Sequence, residues 1–175
     1  MKGGVSILAV LLAALALFST SCAGRRHSQT PARVVDPLEP RKSWSPQEGM
    51  EHLLTARRFA FGADSDGMIS DGEYAFRAVL KSPEAPTQFK AVYDQATVEG
   101  QLYALCGIRI ADRDSFEDYA SPLRSEIRKV MTQRGRIATN EPVADVVQRI
   151  ASGNYDQYFT NWLASPAAAR PVTAQ

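Results

Sequence analysis

The stretch VEGQLYALCGIRI, residues Val98–Ile110, decides the fold. Val98, Leu102, Leu105, Cys106 and then Ile108 or Ile110 recur at steps of three and four, and a helix of 3.6 residues per turn gathers them on one broad face. It is the strongest apolar segment after the N-terminal leader, and it reads as the central helix of the protein. What packs around it has to come from the segments on either side.

Toward the N-terminus, Ser82-Pro83 and Pro86 mark the entry to a helix carrying Phe89, Val92 and Tyr93. Earlier still, Ser45-Pro46-Gln47-Glu48 is a capping box with proline at the first helical position. The serine side chain takes an orphan backbone N–H while the glutamate reaches back. It opens a helix predicted to run to about Phe59, whose Met50, Leu53, Leu54, then Ala56 or Arg57, and Phe61 keep a helical period, with Glu51, His52 and Arg58 mostly outside.

Toward the C-terminus, Asp114-Ser115-Phe116-Glu117 repeats the capping pattern and begins a helix through Tyr119 and Leu123. Residues 128–139 read as a short hairpin or a loop around Gly135. Asn140 is predicted to cap a helix over EPVADVVQRIAS with a stripe of Val143, Val146, Val147 and Ile150, and Gly153 stops it. The aromatic stretch that follows, with Tyr155, Tyr158, Phe159 and Trp162, has two readings: a short helix closing the core, or an exposed surface for a partner. Helices alternating with short connections, and no convincing set of strands, predict a mainly α fold, a compact helical bundle or stacked helix pairs.

The chain divides into four parts. Residues 44–164 are one domain by length, large enough for a real core. They carry thirteen Lys or Arg against seventeen Asp or Glu, a net charge of −4 that, with no basic stripe interleaved with aromatics, argues against a nucleic-acid partner. Residues 165–175 form a small, proline-bearing tail expected to be disordered. Residues 22–43, rich in proline and polar side chains, read as a flexible tether with net charge +3, suited either to an anionic lipid surface or simply to solvent.

Residues 1–21 carry Lys2, an apolar run from Val5 to Phe18 and the small residues Ser19, Thr20 and Ser21 before Cys22. That is a secretory signal. The fourteen-residue run would span about 21 Å as a helix, short of the roughly 30 Å of a bilayer core. With Cys22-Ala23-Gly24 after it, the leader resembles a bacterial lipoprotein signal, whose lipobox puts small residues before a cysteine that becomes the lipidated N-terminus. It departs from that pattern at Ser19, where the family prefers Leu, Val or Ile. Ser19 and Ser21 also suit ordinary signal peptidase, so a secreted or periplasmic soluble protein is the alternative. The resemblance implies acyl chains on Cys22, a membrane contact through them, and an envelope address; Ala23 after the cysteine favours the outer membrane. Cys106 is the one cysteine inside the fold, so no internal disulfide is expected. The domain is also similar to uncharacterised bacterial proteins in which a FAFG-type segment, a QLYALCG-type helix and a helix ending before G-x-Y follow one another, a resemblance that implies no activity.

GADSDGMISDGEY, residues 62–74, resembles a single EF-hand loop. With Gly67 at the turn, Asp64 and Asp66 take the third and fifth positions, Met68 offers its carbonyl at the seventh, Ser70 stands ninth and Glu73 twelfth. Position one is Gly62, which has no ligand to give. The resemblance implies a weak Ca²⁺ site. The same residues have a simpler reading, since Ser70-Asp71-Gly72-Glu73 is itself a capping box.

Suppliers of catalysis are few. The histidines are His27 and His52, and no G-x-S-x-G, phosphate loop or G-x-G-x-x-G occurs. The acidic pairs Asp112/Asp114 and Glu117/Asp118 suit helix starts better than a hydrolase carboxylate pair. The expectation is therefore a non-enzymatic, lipid-anchored envelope protein with a structural or protein-interaction role, possible partners being other envelope proteins. A weak calcium-binding domain is the first alternative and a hydrolase the second.

Overall fold

Nine of the fourteen residues of the helix Val98–Ala111 are buried, more than one face of an amphipathic helix supplies. It is enclosed on nearly all sides. The structure, a computed structural model, describes residues 44–62 and 67–163, the side chains of 161–163 excepted. In chain order these form α1 (Pro46–Leu54), β1 (Phe59–Ala60), α2 (Asp71–Leu80), α3 (Ala85–Gln95), α4 (Val98–Ala111), a 3₁₀ turn (Arg113–Ser115), α5 (Phe116–Arg124), β2 (Lys129–Arg134), β3 (Ile137–Pro142), α6 (Val143–Ala151) and α7 (Gln157–Leu163). The fold is mainly α. Its helices pair closely, α1 with α2, α3 with α4 and α5 with α6.

Small residues on α4 set how near its neighbours come. A Cβ on Gly100 would lie 2.1 Å from the Leu53 carbonyl oxygen at the end of α1, and one on Gly107 would lie 2.3 Å from the Phe89 ring of α3. Both helices therefore pack against α4 at bare backbone. Thr97 joins the first of these contacts: its hydroxyl accepts the Gly100 N–H at 3.2 Å and donates to the Ala56 carbonyl at 2.6 Å. One side chain caps α4 and ties it to the connection between α1 and β1.

The expected helix up to Phe59 is shorter than its apolar spacing suggested. It ends at Leu54, and Phe59–Ala60 is a strand pairing parallel with β2, Phe59 opposite Thr132. Phe59 and Phe61 are buried from an extended chain, not from a helix. Ala60 is finished by α4: the Tyr103 hydroxyl accepts its N–H at 2.8 Å and donates to its carbonyl at 2.9 Å, standing in for a further strand. Burial pushes that phenol far above its ordinary range.

The hairpin expected near 128–139 is present and longer. β2 and β3 pair antiparallel from Lys129–Pro142 to Arg134–Ile137, with Gly135 at φ 55° in the two-residue turn. Two expected caps give way. Asn140 lies inside β3, and α6 starts only at Val143 because the strand pairing runs through Pro142. Asp114 sits in the 3₁₀ turn that precedes α5, where the Ser115 hydroxyl donates to Asp112 at 2.8 Å, so no capping box forms there. The Ser45 box is complete, and Gly153, at φ 76°, ends α6 with Gly153 N–H on the Ile150 carbonyl and Asn154 N–H on that of Arg149.

The aromatic stretch closes the core. Tyr155 and Phe159 are 5% and 3% exposed and meet Phe59, Phe61 and Phe76 at ring separations of 5.1–5.8 Å. Tyr158 stacks on Phe61 and is half-buried. As a partner surface, Tyr155 and Phe159 are corrected: they face inward and offer nothing to a second protein. The side chain of Trp162 lies outside the described residues.

Candidate functional site

The start of α2 is where the chain concentrates polar groups, and its two sides differ. On the inner side, Ser70 caps the helix, accepting the Glu73 N–H at 3.1 Å while its hydroxyl donates to the Ala60 carbonyl at 2.9 Å. Glu73 does not complete the box by reaching back to Ser70. Its carboxylate, 1% exposed, accepts the Gly62 N–H at 2.7 Å and pairs with the Arg77 guanidinium at 2.6 Å, and Arg77 also donates to the Tyr158 carbonyl at 3.3 Å. Burial pushes the Glu73 carboxyl up; Arg77 and the Gly62 N–H pull it down, and burial wins. The clasp joins the segment after β1, helix α2 and the start of α7.

That geometry bears on the candidate calcium ligands. Ser70 and Glu73 are engaged in protein hydrogen bonds, and Arg77 holds the place at Glu73 that a cation would take. Met68 is on the surface, and Asp64 and Asp66 lie outside the described residues. Among the described residues no group of three His, Cys, Asp or Glu gathers where it could hold a metal ion.

On the outer side of the same helix start lies an open-sided groove of about 470 Å³. One wall is the segment from His52 at the end of α1 through Arg57 and Arg58 to Ala60 and Gly62; the other is Met68 to Gly72, and the hairpin turn closes one end with Gln133 and Gly135. Arg58 donates to the Gln133 side chain at 2.8 Å, a bond across seventy-five residues of sequence that fixes the guanidinium between β1 and the hairpin. Arg57, exposed beside it, makes no hydrogen bond or ion pair with another described residue. Asp71 is the one carboxylate among the described lining residues. Its place in the first turn of α2 suits the helix dipole.

The remaining candidates are tied elsewhere. Asp112 is bound by Lys90 at 2.6 Å and by Ser115, and the hydrogen bond with Lys90 holds its carboxyl low; Arg124 does the same for Glu117. Neither is set to carry a proton at neutral pH. Cys106 is buried, which pushes its thiol well up and keeps it protonated. Cys22 lies outside the described residues. Sequence reasoning placed Arg57 and Arg58 within the expected first helix, Arg57 as an alternative to Ala56 in its apolar period and Arg58 mostly outside, and gave them no further role. Their available signal was two adjacent arginines in a domain of net negative charge. No family model, no curated protein and no solved structure matches the chain.

Proposed function

We propose that the chain is a lipid-anchored protein of the bacterial cell envelope that works without catalysis, acyl chains on Cys22 holding it to a membrane and the tether 22–43 presenting the helical domain to another envelope component. The leader MKGGVSILAVLLAALALFSTSC supports the anchor. The observation that carries the interaction role is the open-sided groove of about 470 Å³ beside the start of α2, with a guanidinium held in its wall by a residue of the hairpin. Two chains on Cys22, at about 0.8 kcal/mol per buried CH₂, are what stable anchoring requires. Growth of cells expressing the full chain with labelled palmitate tests the anchor: label on the wild type, absent from Cys22→Ser, is the expected result. A mature chain beginning at an unmodified Cys22 contradicts it.

A further inference from the structure

We infer that β3 is the edge along which two copies of the chain join, antiparallel, into one continuous sheet. The inference goes beyond the interaction role proposed above and depends on neither the anchor nor the groove. In the sheet order β1-β2-β3, β3 has a neighbour on one side only, and Ala138, Thr139 and Asn140 are exposed on it. The ladder fixes which backbone groups look outward. Arg134 and Ile137 flank the two-residue turn as a hydrogen-bonded pair, and the Val143 N–H on the Arg128 carbonyl at 3.1 Å continues the same alternation at the other end. Ile137, Thr139 and Glu141 therefore direct their backbone groups to β2, and Ala138 and Asn140 direct theirs to the open edge. Such an edge attracts another strand unless lysine, proline or a bulge guards it. Positions 137–141 hold no lysine or proline, and their pairing with β2 is unbroken.

Charge and shape select a second copy as the occupant. With Ala138 opposite Asn140 of the second copy, and the reverse, the outward N–H and C=O groups of both residues are answered on each strand. Thr139 then faces Thr139 of the second copy, and Ile137, 70% exposed, faces its Glu141. On the other side of Ile137, in the same row and on the same face, stands Arg134, which makes no hydrogen bond or ion pair with another described residue. The row therefore runs Arg134, Ile137, Glu141 of the second copy. Two strand spacings, about 10 Å, separate the outer two backbones, a gap that an arginine and a glutamate side chain span together. Glu141 already accepts from Arg149 and Thr139, and an ionised carboxylate has room for a further donor. Two-fold symmetry repeats the row, so each exposed isoleucine is covered and each Arg134 is answered. Moving the pairing to set Ala138 opposite Pro142 loses donors, because proline has none; moving it the other way sets Glu141 opposite Gly135, away from the arginine.

The test begins with an intermolecular disulfide in oxidised membranes of cells expressing the full chain. Facing residues that share no backbone bonds bring their Cα atoms to about 4.5 Å, within disulfide reach, so Thr139→Cys is expected to give a covalent dimer on a non-reducing gel. Ala138→Cys and Asn140→Cys, each about 8 Å from its own copy in this register, are expected to give no more dimer than the wild type. Sedimentation of the full chain in detergent is expected to show a dimer. It should be lost in Ala138→Pro, which removes an outward N–H and leaves the pairing with β2 in place, and weakened at least tenfold in Arg134→Glu, which sets two carboxylates against each other. Circular dichroism checks that each variant is folded. A wild type that stays monomeric overturns the proposal, as does a disulfide from Ala138→Cys equal to that from Thr139→Cys, an adduct of Thr139→Cys with a different protein in place of the dimer, or a dimer indifferent to both Ala138→Pro and Arg134→Glu. The anchor is read separately by labelling of Cys22, so the dimer can fail while the anchored module stands.

Discussion

Two sets of arginines flank the first turns of α2 and do opposite things. Arg77 points inward, 3% exposed, and spends its charge on Glu73 and the Tyr158 carbonyl; Arg57 and Arg58 lie on the outside, one held only by an uncharged side chain and the other by nothing among the described residues. A guanidinium costs a great deal to bury, so it stays inside only where partners answer it. Outside, water answers it, and the charge is available to a ligand. Burial and partners, not residue type, separate an arginine that holds the fold from one whose charge stays in solvent.

The comparison breaks most visibly on its inner side. Glu73→Ala leaves Arg77 buried without its counter-charge and is expected to cost about 3–5 kcal/mol in urea unfolding, whereas Glu73→Leu/Arg77→Met, which removes both charges, is expected to recover most of that loss. Similar losses in both variants would mean that the clasp matters through its shape alone.

Next in size is a change in the packing that holds the inner side together. Gly100→Ala drives a methyl group to 2.1 Å from the Leu53 carbonyl, backbone that cannot turn aside, and about 1–3 kcal/mol of stability should be lost. A variant as stable as the wild type would show that α1 is free to shift away from α4.

A smaller effect sharpens the same comparison through pH. Burial holds the folded-state pKa of Glu73 above its ordinary 4.5, so the folded protein binds that proton more tightly than the unfolded chain does. Stability from this group should therefore rise as pH falls from the raised value toward 4.5, by about 1.4 kcal/mol per unit of separation. Glu126 behaves in the opposite sense: its hydrogen bond with Arg128 brings it to about 2, so its contribution is complete above 4.5 and fades as pH falls from there toward 2. The difference between wild type and Glu73→Gln, which keeps an acceptor for Gly62 and Arg77, should slope only above 4.5. A flat difference across that window would remove burial as the dominant influence on the carboxyl.

What the sequence made legible follows the range of each signal. The Ser45 box, the Gly153 stop and the turn at Gly135 are written within a few residues, and all three are found where local chemistry puts them. β1 has two residues, too few for a period, and exists because β2, some seventy residues on, supplies its partner and Tyr103 its other edge. Asn140 looked like a cap because nothing local says that strand pairing continues to Pro142. At the candidate site the Ser70 cap was readable. The fate of Glu73 was not, since Arg77 stands one helical turn ahead of it but only the packing of α7 makes the pair a buried clasp. The groove escaped for the same reason, one of its ends being closed by the hairpin.

The division between inward and outward arginines is tested most directly by unfolding free energies in urea for Arg77→Ala and for Arg57→Ala/Arg58→Ala, side by side in the full chain. Arg77→Ala strands a buried carboxylate and is expected to lose about 3–5 kcal/mol, while the outer pair, on the surface, should stay within about 0.5 kcal/mol of wild type. Comparable losses in the two would contradict the account, because Arg57 and Arg58 would then be holding the fold together as Arg77 does.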